Sequence, residues 1–372
     1  MRRHCEACAA NFLRPNSIRV VIMQALRRFI CVLFCPLILV AAIAVAHDAC
    51  AQTSDTPWPQ RTVRFIVPLG AGSGVDLTAR SIADKLAAKW GQPVVVENRP
   101  GGDAMLAITA VLSAHDDHVL LFAPVSTFSA HPYLHSKLPY DPKDLTPIAR
   151  VANTLIVLGV PTDLNVSTIG ELIAKVKAAP GKLNYASVTG ANDLLFTAFL
   201  KTENADMARV PYKNAVQAIN DLAESRIHAF VAAYVIARPQ VQAGKVKLIA
   251  MTNRQHAKIL PDVPTASEAG YKSLEFDGLN GILGPRDMPQ AVRDRIAADV
   301  REAVADPDLD SKLSAVGQVF NPGTSAEFSE AMNDQLRTVK RIGDTLGLKP
   351  AVAEAARGVP LPAETLGAKT GQ

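Results

Sequence analysis

The strongest constraint on the fold is an alternation. From Trp58 onward, short apolar runs trade places with stretches of helical periodicity, and glycine or proline separates them. That pattern lays strands and helices down in turn. Val63-Arg64-Phe65-Ile66-Val67 reads as a strand closed by Pro68. A helix follows with Leu77, Ile82, Leu86 and Trp90 along one side and Gly91 at its end. Val94-Val95-Val96 is a second strand. Pro100-Gly101-Gly102 turns into a helix bearing Met105, Ile108, Val111 and Leu112, and Val119-Leu120-Leu121-Phe122 makes a third strand. The recurrence predicts an α/β fold on a mostly parallel sheet.

A second set of elements begins at residues 154–160. A helix over 169–178 stops at Pro180-Gly181, and 183–186 reads as a strand. A helix starts at about Leu194, a strand covers 208–210 and a helix 216–223. Residues 227–231 and 247–251 read as strands, 276–283 is apolar and glycine-rich, and 290–304 is an amphipathic helix. Beyond Pro350 the chain is small, polar and proline-bearing, so residues 351–372 are expected to form a loose tail.

The first fifty residues point to export. Basic residues ending in Arg27-Arg28 precede an uncharged apolar run from Phe29 to Ala46, and Ala49-Cys50-Ala51 fits a small-x-small cleavage site before Gln52. Residues 1–51 therefore read as leader and signal peptide. Met23 opens a shorter n-region of ordinary form, which makes residues 1–22 an upstream extension. An uncleaved anchor is the alternative, because the run is near the lower length for a span. A lipid-modified Cys50 fits less well, since His47-Asp48 precede it.

All five cysteines (Cys5, Cys8, Cys31, Cys35 and Cys50) lie before Gln52. The processed chain is then expected to have no disulfide, no thiol nucleophile and no cysteine metal site. Residues 1–51 also carry six of the 39 basic residues and two of the 35 acidic ones, so the remaining 321 residues hold 33 of each. The excess of positive charge belongs to the leader, and no basic cluster of the kind that binds nucleic acid remains.

Three loops carry the functional signal. Pro68-Leu69-Gly70-Ala71-Gly72-Ser73-Gly74-Val75-Asp76 joins a strand to a helix, where glycines admit a ligand close to the backbone and the helix start offers unpaired amides. Such a loop suits a carboxylate. It fails the phosphate-loop template, which needs Lys after the last glycine, and the dinucleotide template, because Val75 replaces the third glycine. Asp76 reads as a helix cap. Pro124-Val125-Ser126-Thr127-Phe128-Ser129 places hydroxyls at the carboxyl end of the third strand, where open α/β sheets bind ligands. Ser187-Val188-Thr189-Gly190-Ala191-Asn192-Asp193 again joins a strand to a helix.

The histidines give less. His115-Asp116-Asp117-His118 has metal-ligand spacing but reads as a solvated turn. His131 and His135 are four apart, yet Pro132 is expected to spoil their pairing on one helix face. His228 and His256 stand alone, and no Ser-His-Asp set can be picked out.

With these segments in view, the chain resembles the Bug family of periplasmic receptors, linked to tripartite tricarboxylate transport. The matching pieces are Val67-Pro68 with Gly72, Gly74, Asp76, Ala79 and Arg80, and then Gln92-Pro93-Val94-Val95-Val96-Glu97-Asn98-Arg99-Pro100-Gly101. Lys137-Leu138-Pro139-Tyr140-Asp141-Pro142, Val210-Pro211-Tyr212-Lys213 and Leu260-Pro261-Asp262-Val263-Pro264-Thr265 continue the match. It runs from about Trp58 to Pro350.

The resemblance implies a two-lobed α/β binding protein of the periplasmic-binding-protein type II kind, with a cleft that closes on its ligand. Lobe 1 would be residues 57–155 plus 280–350, and lobe 2 residues 156–279. The implied ligand is a small carboxylate, held by loop amides and hydroxyls with no cofactor, no metal and no catalytic residue. By position its contacts would be Leu69, Gly70, Ala71, Gly72 and Ser73, then Ser126 and Thr127, then Thr189, Gly190, Ala191, Asn192 and Asp193. The implied partner is a membrane permease or a sensor ectodomain, and the protein is expected to be a monomer. A sensory receptor feeding a two-component system and a small-molecule hydrolase are the alternatives.

The chain departs from the family pattern in lobe 2. The third loop commonly reads small-Gly-Thr-Ser with a histidine soon after, against Gly190-Ala191-Asn192-Asp193 followed by Leu194-Leu195 here. Ala232 stands where an aspartate is common, and Glu224-Ser225 replace a Gly-Gly. A negative Asp193 disfavours a dianion unless it is paired. These changes point to a ligand other than a simple dicarboxylate, with an amine, hydroxyl or apolar distal group.

Overall fold

The apolar run Val63–Val67 forms β1, buried at four of its five residues. Helix α1 (Gly74–Trp90) follows and ends at Gly91, whose left-handed backbone returns its amide to the Ala87 carbonyl. Strand β2 is Val94–Asn98, α2 is Met105–Ala114, β3 is Val119–Pro124 and α3 is Val125–Leu134. Two long strands, β4 (Leu145–Thr154) and β5 (Ile156–Pro161), meet at Leu155. Next come α4 (Ile169–Ala178), β6 (Asn184–Val188), α5 (Ala191–Thr202), β7 (Ala208–Tyr212) and α6 (Ala215–Ala223). Strand β8 (Phe230–Ala233), α7 (Tyr234–Gln242) and β9 (Val246–Met251) lead to β10 (Gly278–Pro285). The chain closes with α8 (Gln290–Ala303), α9 (Pro307–Ser314), β11 (Gln318–Gly323) and α10 (Ser325–Leu346). This computed structural model describes residues 58–351 apart from Thr189. The expected leader, its cleavage site before Gln52 and residues 352–372 of the expected tail lie outside the described residues.

The strands form a two-lobed α/β architecture. One sheet has six strands in the order β11-β4-β10-β3-β1-β2, while β8-β5-β9 and β6-β7 make two smaller sheets. Backbone pairing of Tyr185 with Ala229 ties β6 to the lead-in of β8. The expected mostly parallel sheet is corrected. β1 pairs in parallel with β2 and β3, and β6 with β7. The ladders β10–β3, β10–β4, β11–β4, β5–β8 and β5–β9 are antiparallel. Hydrophobic periodicity reports that a strand exists but not its direction, and here β10 brings the chain back into the sheet that it left at the end of β4.

The chain passes from the six-stranded sheet to β8-β5-β9 at Leu155 and returns between β9 and β10, and hydrogen bonds tie these two crossings together. Buried Asn253 accepts the Ile156 amide (2.9 Å) and donates to the Thr154 carbonyl (3.0 Å). Thr252 donates to the Phe276 carbonyl (2.8 Å) and its own carbonyl accepts the Phe276 amide (2.7 Å). Gly278 permits this approach, because a Cβ there would collide with the Thr154 carbonyl.

Helix α10 is the longest of the described elements, and no expectation covered it. Thr324 and Glu327 form a capping box at its start. At 22 residues it runs about 33 Å by the rise of an α-helix, enough to reach two separate hydrophobic cores. Phe328 and Met332 pack with Ile66, Leu121 and Leu283, whereas Val339 and Ile342 pack with Leu195, Phe199 and Ile249. No described helix is long and apolar enough to cross a membrane.

Candidate functional site

Five strand-to-helix junctions turn the starts of α1, α3, α5, α6 and α7 toward one cleft of about 780 Å³. The first four amides of any helix lack an intrahelical partner, and its N-terminus carries partial positive charge. At α3, α5 and α7 the residues preceding the helix are Pro124, Gly190 and Ala233, none of which supplies a capping side chain. Gly190 has φ 146°, a conformation that side-chain-bearing residues rarely adopt. A cluster of such termini can hold an anion without any cationic side chain. No Lys, Arg or His lines the cleft among the described residues, and Asp103 is the one ionisable group that does.

The first loop is the most built. Ser73 caps α1 by accepting the Asp76 amide (3.3 Å). Asp76 is thus the third residue of the helix and not its cap, a correction to the sequence expectation. Its buried carboxylate reaches back to accept the Gly72 amide (2.8 Å), and also takes Asn98 (2.8 Å) and Arg80 (3.1 Å). Asn98 donates as well to the Leu69 carbonyl (3.0 Å). Burial opposes ionisation of Asp76, but the Gly72 amide, Asn98 and Arg80 prevail and hold its carboxyl below the usual carboxylate range.

Leu69, Gly70, Gly72 and Ser73 line the cleft, whereas exposed Ala71 does not. Ser126 and Thr127 line it too. They sit in the first turn of α3, where a loop was expected, because the helix begins directly after Pro124. In the third segment Gly190, Ala191 and Asn192 face the cleft. Thr189 lies outside the described residues. Asp193 does not line the cleft: it is 6% exposed and pairs with Arg209 (2.5 Å). The helix begins at Ala191, three residues earlier than expected, and about 100° of turn per residue carries Asp193 away from the side that Asn192 faces. Its charge is neutralised away from the ligand, so Asp193 gives no argument about ligand charge.

Other lining residues were not singled out from sequence. Gln318 is 1% exposed and lines the cleft, bonded to Thr154 (3.1 Å) beside Asn280, which donates to Thr154 as well (2.8 Å). These three come from β11, β4 and β10, so only the antiparallel pairing brings them together. Val216, Phe230, Val235 and Ile236 also line the cleft. Of these, Val216 is 55% exposed, an apolar side chain left open at the cleft wall.

Beside the cleft, His131 and His135 do come together despite Pro132, with ring centres 5.4 Å apart. The proline falls in the last turn of α3, so it removes one backbone bond and leaves the i, i+4 geometry standing. Buried His131 donates from Nε2 to the Asp103 carbonyl (2.8 Å) and accepts the Tyr140 hydroxyl at Nδ1 (2.6 Å). Burial pushes its pKa below the ordinary value, so the neutral ring fits this pattern. His135 bonds the Asp103 carboxylate (2.8 Å). The Asp116–His118 turn is tied down by Arg61, which grips Asp116 with two bonds of 2.9 and 2.7 Å.

The model of the tripartite tricarboxylate transporter family receptor matches residues 78–348. A UPF0065 protein of Bordetella bronchiseptica is 28% identical over 321 residues, covering 84% of this chain and 93% of its own. Among solved structures, an R. palustris protein with adipate superposes with a TM-score of 0.70 at 25% identity, covering 79% of this chain and 99% of that one. The periplasmic binding protein BugD gives 0.66 at 27% identity, with 78% and 99% covered.

Proposed function

This chain belongs to the tripartite tricarboxylate transporter family of receptors, and on that premise we propose that it captures a small carboxylate in the cleft and leaves it chemically unchanged. The observation that supports this most is the convergence of helix starts on a cavity without cationic side chains. A carboxylate fits such termini, and hydroxyls at Ser73, Ser126 and Thr127 add directional contacts. The adipate held by the R. palustris relative is of this chemical class. No histidine or lysine lines the cleft among the described residues to activate those hydroxyls, which favours binding over hydrolysis.

Residues 57–155 plus 280–350 form lobe 1 and 156–279 form lobe 2 in this proposal. Closure bends the paired crossings at Leu155 and near Phe276, while ligand shifts an open–closed equilibrium. The protein works in the periplasm after removal of residues 1–51, as a monomer, and delivers its ligand to a membrane permease, with a sensor ectodomain as the other recipient. Thermal unfolding of purified protein across a panel of organic acids tests the proposal. A ligand at 100 times its dissociation constant adds about 2.7 kcal/mol of stability, and mass spectrometry should recover it intact. A folded protein that no carboxylate stabilises, or one that converts its ligand, would sink the idea.

A further inference from the structure

The polar groups of the cleft are divided unevenly. Ser73, Asp103, Ser126, Thr127, Thr154 and Gln318 all come from residues outside 156–279. From within that segment, Asn192 is the one lining residue with a polar side chain among the described residues. The remainder of that wall is apolar, and Val216, Phe230, Val235 and Ile236 dominate it.

The apolar wall borders a core of its own. Ala130 of α3 and Ala191 and Leu194 of α5 belong to a different core cluster. Val188, Ala215, Tyr234 and Ile236 form the outer margin of that wall's core, which is built on Ala218, Leu222, Phe230 and Ala237. That wall is the edge of a hydrophobic core that opens into the cleft.

We propose, resting on the receptor reading above, that the ligand is a monocarboxylate with an apolar body. Its carboxylate lies where α1, α3 and α5 begin, and its aliphatic or aromatic part lies against Val216, Phe230, Val235 and Ile236. A second carboxylate against that wall would lose water and find neither a cation nor a polar side chain, and among the first amides of α6 and α7 the Val216 amide already bonds Asn214 (2.7 Å) and the Tyr234 amide the Leu155 carbonyl (2.8 Å). An apolar body there leaves water at no such cost.

The test uses acids matched in length and different only at the far end: hexanoate, adipate and 6-aminohexanoate, then octanoate, suberate and 8-aminooctanoate. Each is titrated calorimetrically into purified full-sequence protein and into Val216→Lys. Val216 is exposed enough for the substitution to leave the fold intact. In each series the plain monocarboxylate should bind at least tenfold tighter than its partners. Val216→Lys should narrow or reverse that preference in favour of the dicarboxylate. A dicarboxylate or amino acid binding tightest to the unaltered protein would overturn the inference and leave the receptor function standing. Silence from all of them, and from a wide carboxylate panel, would overturn both.

Discussion

Helices α1 and α5 start on the same cleft, and each has an aspartate at its third residue, Asp76 and Asp193. Both are buried and both meet an arginine, yet they do different work. Asp76 turns back onto its own loop and takes the Gly72 amide, Asn98 and Arg80, while Ser73 caps the helix. Asp193 turns outward to Arg209 on β7, and its loop is capped by no side chain at Gly190. One helix start is held by its own side chains before any ligand arrives. The other keeps its first amides for whatever enters the cleft. A charged residue beside a ligand loop is therefore no guide to ligand charge until its partner is known.

Substitutions that separate the two starts sharpen this contrast. Asp76→Ala strands the Gly72 amide and Asn98 with lost charged partners, and should cost about 3 kcal/mol in urea unfolding. Asp193→Ala should cost nearer 1 kcal/mol, because Arg209 is half exposed and can turn to water. Equal losses would erase the distinction. Gly190→Ala forces a side chain into a glycine conformation and should cost about 2 kcal/mol, against about 1 kcal/mol for removing the cap in Ser73→Ala.

Binding should divide the pair further. Asn192→Ala is expected to weaken carboxylate affinity about tenfold, which is roughly 1.4 kcal/mol. Asp193→Asn should leave it almost unchanged. The smallest effect concerns acid. The folded-state pKa of Asp76 is depressed, so the native state binds fewer protons than the unfolded chain below the ordinary value of about 3.9. Its contribution is present above that pH and is lost as pH falls through the folded value. Asp76→Asn should flatten that part of the acid limb, and an unchanged limb would contradict the network described here.

Much of the fold was legible because its signals are local. Gly91 ends α1, Pro180-Gly181 ends α4 and Gln290 begins α8 where periodicity and turn chemistry predict. Strand direction was not legible, since the β3–β10–β4–β11 ladders join segments more than a hundred residues apart. The same division holds at the site. Gly72, Ser73, Ser126, Thr127 and Asn192 sit at strand-to-helix junctions, which sequence can locate. Gln318 and Thr154 reach the cleft through long-range pairing, and no local pattern marks them. The capping box Thr324-x-x-Glu327 is a local sign of where α10 begins. The rotation of Asp193 out of the cleft depended on a helix start three residues earlier than expected.

The most direct test of this binding mode is a crystal structure of the protein with the tightest carboxylate found by titration. A carboxylate hydrogen-bonded to amides at the starts of α1, α3 and α5, near Ser73, Ser126, Thr127 and Asn192, is the expected result. A carboxylate seated on an arginine or lysine side chain, or a ligand bound outside the cleft, would contradict it.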